Sequence, residues 1–104
     1  MRRGPTPLDP KDTAELDLVT FDFGPAMSAA ESIVSVAVTC DVHSGTDPTP
    51  AALLSAQAQI AARNIVTQEV TQGVAGVAYH LRATATLNSG RVLVLAARLA
   101  VVDL

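Results

Sequence analysis

Between residues 73 and 102 the chain shows its clearest pattern. Val77, Tyr79, Leu81, Ala83, Ala85 and Leu87 alternate with His80, Arg82, Thr84 and Thr86. That period of two is the mark of a half-buried strand. Asn88, Ser89 and Gly90 interrupt the pattern, and residues 91–102 resume as a second apolar run. A three-residue connection with glycine last suits a hairpin whose third loop residue is left-handed. An antiparallel hairpin is therefore expected, with the rest of the chain packed on it.

The other segments read as strands of the same kind. In residues 15–23, Asp17, Val19, Phe21 and Phe23 face one way and Leu16, Leu18 and Thr20 the other, with Gly24 and Pro25 as a stop. The acids suggest an edge strand, where charge discourages stray pairing. Residues 26–32 suit a short helical turn or a loop. Residues 33–40 are rich in β-branched side chains, and Val34, Val36, Val38 and Cys40 are expected on one face. Residues 43–50 (HSGTDPTP) read as a loop. Residues 51–62 fit two patterns. Their alanines and leucines favour helix, yet Leu54, Ala56, Ala58 and Ile60 alternate with Ser55, Gln57 and Gln59. Flanking strands and short connections favour strand, and 64–70 follow as another. The expectation is an all-β, immunoglobulin-like antiparallel β-sandwich of about seven strands, with an extended N-terminal arm. Its boundaries are 1–13 for the arm, where Pro5, Pro7 and Pro10 cluster, and 14–104 for the domain. An extended tail and plain disorder fit the arm equally.

Composition narrows the interior. Hydrophobic residues make up 49% but aromatics only 3%, namely Phe21, Phe23 and Tyr79. Valine and alanine must fill the core, which favours thin layers between sheets, and each aromatic should matter to packing. Tyr79 lies near the start of the penultimate strand. Immunoglobulin-like sandwiches often place a tyrosine there with its hydroxyl bonded back to the backbone. A plain core tyrosine is the alternative.

Charge is uneven. Residues 1–50 carry three basic and eight acidic side chains, a net of −5, and residues 51–104 carry four and two, a net of +2. Without clustered Lys and Arg, no nucleic-acid partner is expected. No apolar stretch reaches membrane-helix length, and MRRGPTPLDP lacks a signal-peptide core. Neither a membrane partner nor secretion is expected, and the compartment is a bacterial cytosol or a particle assembled there.

Candidate chemistry is thin. Cys40, Asp41 and His43 sit close in sequence, but a structural zinc needs about four ligands and His80 is the only other histidine. Asp41 and Asp47 lack calcium-loop spacing. No nucleophile elbow surrounds a serine, and Gly73 and Gly76 do not form a phosphate loop. Cys40 has no cysteine partner. No catalytic residue, cofactor or metal is expected. The run 91–102 is apolar on both faces apart from Arg98, more than a two-layer domain needs. Its outer face, and the arm, are expected to be covered by another chain, with the arm ordered only there.

The chain resembles a family of small tailed-phage virion proteins of the fibre–tail adaptor or neck type. The resemblance rests on Asp9-Pro10, Leu16-Asp17 and Asp22 in the first strand, Ile33 and Ser35 in the next, then Gly73, Gly76, Tyr79 and the turn Ser89-Gly90-Arg91. Relatives tend to carry an early tryptophan and a Gly-Gly before the penultimate strand. This chain has no tryptophan and has Gln72-Gly73 there. The resemblance implies a non-enzymatic virion protein linking tail, neck or fibre components, present in several copies in a symmetric assembly. A free-standing bacterial adhesion or carbohydrate-binding sandwich is the alternative. That class usually displays exposed aromatics or a calcium loop. A small enzyme is disfavoured by the missing acid–base constellation.

Overall fold

The computed structural model describes residues 6–7, 11–12 and 16–102. Six long strands form two antiparallel three-stranded sheets. In chain order they are β3 (Leu16–Asp22), β4 (Ile33–Ser44), β5 (Gln59–Ala62), β6 (Ile65–Thr71), β7 (Ala78–Leu87) and β8 (Val92–Val102). They follow two dipeptide strands, β1 (Thr6–Pro7) and β2 (Lys11–Asp12). One sheet runs β4–β7–β8 and the other β3–β6–β5. Two short 3-10 turns, Gly24–Ala26 and Pro50–Leu53, are the only helical segments among the described residues.

The β7–β8 hairpin is as the alternation predicts. Ala78 to Thr86 pair with Ala100 to Val92 in unbroken register. Gly90 takes φ +90° and its N–H donates to the Leu87 carbonyl. Every inward position of β7, from Tyr79 to Leu87, is buried. A single core fills the space between the sheets. Val19, Phe21, Phe23, Val66 and Val70 come from one side, and Tyr79, Leu81, Ala83, Ala97, Leu99 and Val101 from the other. All three aromatics are in it, as their scarcity requires.

Three expectations need correction. The strand count is six rather than about seven. Prolines in the arm lack the N–H that a continuous ladder uses, and the described arm residues pair as two dipeptides. On β4 the register shifts between Ile33 and Ser35. Such a bulge flips the alternation upstream of it, so Ile33 is buried and Val34 is exposed rather than sharing a face with Val36, Val38 and Cys40. Within 51–62 only Gln59–Ala62 is strand. Leu53 drops into the core instead, and the buried Gln68 amide donates to the carbonyls of Ala56 and Glu69, both at 2.8 Å, tying the segment to β6.

The described arm residues lie along β8 of their own chain. Thr6–Pro7 pair parallel with Ala97–Arg98, and Lys11–Asp12 with Val101–Val102. The arm was expected to order only against another chain. The edge of β8 beyond β7 is open backbone, which these four residues occupy. Asp9, Pro10 and Glu15 lie outside the described residues.

Candidate interaction surface

Strand geometry disperses the one cluster that hinted at chemistry. Successive side chains point to opposite faces, so Cys40 enters the core while Asp41 and His43 face outward. Burial, followed by the nearby charges of Asp41 and Asp47, pushes the Cys40 thiol up to about 12. The protonated thiol is a poor ligand and nucleophile. Asp41 is paired across the ladder with His80 on the outer face. Among the described residues no group of three or more His, Cys, Asp or Glu is placed to hold a metal ion.

Polar side chains instead lock the loops. The Tyr79 ring is fully buried. Its hydroxyl accepts from the Val74 N–H at 2.9 Å and donates to Asp47 Oδ2 at 2.7 Å. The bond back to Val74 closes the turn between β6 and β7, the sheet-corner role expected for this residue. Asp47, from the loop 43–50, is a partner that sequence reasoning missed. It also accepts from the Thr49 N–H at 2.9 Å. The Tyr79 hydroxyl, then the Thr49 N–H, hold its carboxyl below the usual range. Burial, reinforced by the Asp47 carboxylate, pushes the Tyr79 hydroxyl up to about 12.

At one end of the domain, Arg91 and Glu31 form a two-pronged ion pair. Arg91 Nη2 donates to Glu31 Oε1 at 2.7 Å and Nε to Oε2 at 2.9 Å. Such parallel bonds fix orientation as well as adding strength. Ser89 donates to the same carboxylate, and so does the Ser28 N–H at 2.9 Å. Arg91 also reaches the Ala26 carbonyl at 2.8 Å. The guanidinium first, then the Ser28 N–H and Ser89 hydroxyl, hold the Glu31 carboxyl well below the usual range. Asn88 adds bonds to Ser32 and Ala30. The loop 24–32 and the β7–β8 turn are thereby clamped into one unit. The Glu31 carboxylate and the Ser89 hydroxyl both bond within the clamp, which makes it rigid.

What remains open to a partner is the outside of the sheets. On β8 the outward Val92 and Val94 are 57% and 42% exposed, and on β3 the outward Leu16 and Leu18 are 63% and 58% exposed. The free edge of β3 is partly closed by its own chain, because Asp17 Oδ1 accepts from the Leu18 N–H at 2.8 Å. An acid used this way keeps a stray strand from pairing. The acids of β3 are thus edge and turn caps, Asp22 likewise accepting from the Gly24 N–H and from Asn64. The outward faces of both sheets, rather than the β3 edge, offer contact area.

Residues 11–100 match the family described as podophage GP4 fiber-tail adaptor protein gp77. No curated protein and no solved structure matches the chain.

Proposed function

The chain belongs to the podophage GP4 fiber-tail adaptor gp77 family, and on that premise we propose that it joins tail, neck or fibre components of a podophage particle by protein–protein contacts. It is a structural protein of a phage tail. The observation that carries the proposal is the extent of the match, which runs from β2 to within β8 and takes in both sheets. Several copies act in a symmetric assembly, with neither nucleic acid nor membrane as partner. The protein assembles in the host cytoplasm and resides in the virion. It is not an enzyme, and no residue is assigned a catalytic, metal or cofactor role. Residues 1–13 serve as an extended arm and 14–104 as an immunoglobulin-like domain. The pairing orders β3–β6–β5 and β4–β7–β8 support that domain assignment. They correspond to the B–E–D and C–F–G sheets of such domains, with the Tyr79 corner at the start of the F strand.

The physical basis for an adaptor is a rigid body with outward apolar surface. Clamped loops hold their shape before contact, which lowers the ordering cost of binding. The test is deletion of the gene followed by complementation. Particles made without the protein should lack fibres, and the native chain should restore them. Fibre-bearing, infective particles in its absence would overturn the proposal. So would mass spectrometry of purified virions that finds the chain missing while the isolated domain binds glycans.

A further inference from the structure

We infer that copies of this chain contact one another head to tail, the outer face of β4–β7–β8 on one copy lying against the outer face of β3–β6–β5 on the next. The inference rests on the adaptor reading only for its setting, where copies are held close together; the two faces themselves are read from the fold.

Charge decides the orientation. The strands of the first sheet carry Arg82 and Arg98 on the outer face against one acid, Asp41. Neither arginine side chain makes an ion pair or hydrogen bond with a described residue. On the second sheet the strands place Asp22 and Glu69 on the outer face and no basic residue there, Asp17 having the inward parity of Val19 and Phe21. A face meeting its own copy across a two-fold axis would set arginine against arginine, or acid against acid. Like charges brought together in this way oppose docking and select against the wrong arrangement. Unlike faces bring the signs together, which makes the contact heterologous.

Apolar surface matches as well. Val92 and Val94 stand on one outer face, and Leu16 and Leu18 on the other. Arg82 lies opposite Ala96 and Arg98 opposite His80, so the charged rows adjoin the valine end of the same face. On the partner face Glu69 pairs across the ladder with Leu18, and Asp22 lies two positions beyond Thr20. Each face therefore holds an apolar patch beside charge of one sign. The faces sit on opposite sides of a two-layer domain, so one contact leaves both copies with an unused face. Repetition closes a ring or extends a row, according to the tilt between neighbours.

Three strands about 4.8 Å apart and seven residues long present roughly 300 Å² per face. Two such faces fall short of the about 1,000 Å² that a stable pair needs. The contact is weak singly, and a common partner that gathers copies supplies the missing effective concentration.

The experiment uses nuclear magnetic resonance on the full chain, followed from about 50 μM to about 2 mM, the range in which a contact of millimolar dissociation constant populates. The expected result is concentration-dependent shifts on both outer faces, reduced by added salt. Two exposed-face variants then separate the arrangements. R82E/R98E disables the first face, and L18K/E69K disables the second. Each alone should stay monomeric with native circular dichroism, while a one-to-one mixture should form a two-chain complex through the intact faces. A native chain that shows no shifts at the highest concentration overturns the inference, as do shifts confined to one face or a mixture that stays monomeric. If that same native chain still restores fibres to deletion particles, the adaptor reading stands and only the head-to-tail contact is lost.

Discussion

Replacing Tyr79 with phenylalanine isolates the corner bond from the ring that carries it. The ring stays buried and the core keeps its volume; only the hydroxyl is lost, with its bonds to Val74 and Asp47. The two bonds weigh differently. Asp47 stands where water reaches its carboxylate, so solvent replaces much of what the hydroxyl supplied. Val74 is 42% exposed, and its N–H also recovers some hydration. The ordinary net value of one hydrogen bond then applies, about 0.5–1.5 kcal/mol. For a domain of this size that is a fall of roughly 4–8 °C in Tm per kcal/mol.

The pH dependence gives a second, sharper reading. The folded Tyr79 hydroxyl is pushed up from about 10 to about 12. A raised folded value means the contribution is whole below pH 10 and is lost as pH climbs through 12. Tyr79→Phe has no such group, so the gap between variant and native protein should hold from neutrality to about pH 9 and close between 10 and 12. The window is clean, because Tyr79 is the only tyrosine and Lys11 the only lysine. Cys40 ionises in both proteins, and its charge is the smallest of the influences on the Tyr79 hydroxyl. Urea unfolding followed by circular dichroism at stepped pH measures the gap. A variant equal to native protein within error, or a gap unchanged up to pH 12, refutes the corner.

Other positions yield simpler expectations. Gly73 has φ +95° and an added Cβ would sit 2.8 Å from Val101 Cγ2, so Gly73→Ala should cost about 2–4 kcal/mol in urea unfolding, strain and overpacking together. Gly76, at φ +86° with open space around its Cβ, should cost about 1 kcal/mol on the same change, from backbone strain alone. Glu31→Gln should lose stability to native protein above about pH 4.5, and the difference should shrink as acid titrates the depressed native carboxyl; stepped acid denaturation measures it. Cys40 should resist iodoacetamide at pH 8 in the folded chain and react fully after denaturation, as a buried thiol does.

How legible each feature was depends on the range over which it is determined. The β7–β8 hairpin was readable because a period of two and a turn glycine are local. Val34 was misplaced because a bulge leaves no mark in an alternating run of valines and serine. Residues 51–62 were divided by tertiary contact: Leu53 fits beneath Gly73 and Val101, and no pattern within the segment announces that. Glu31 and Arg91 are 60 residues apart and Tyr79 and Asp47 are 32 apart, so neither pair has a local signature. Gln68 did have one. It occupies an inward position between Val66 and Val70, and a polar residue of that parity must find partners or pay desolvation.

The final strand shows how one expectation can join two separate needs. Its apolar residues on both faces implied a cover supplied by another chain, and the arm was expected to find its order in the same contact. In the structure the described arm residues satisfy the edge of β8 at Ala97–Arg98 and Val101–Val102. An edge and a face are different liabilities. The edge presents unpaired N–H and C=O groups, which a strand of any composition satisfies. The outer face presents side chains, and Val92 and Val94 remain exposed beside the paired edge. Edge pairing therefore leaves the apolar surplus in place, and covering it requires a body laid across the sheet. The two dipeptides paired along the edge lie in the plane of the sheet and have no breadth to do this; the flat face of another domain has.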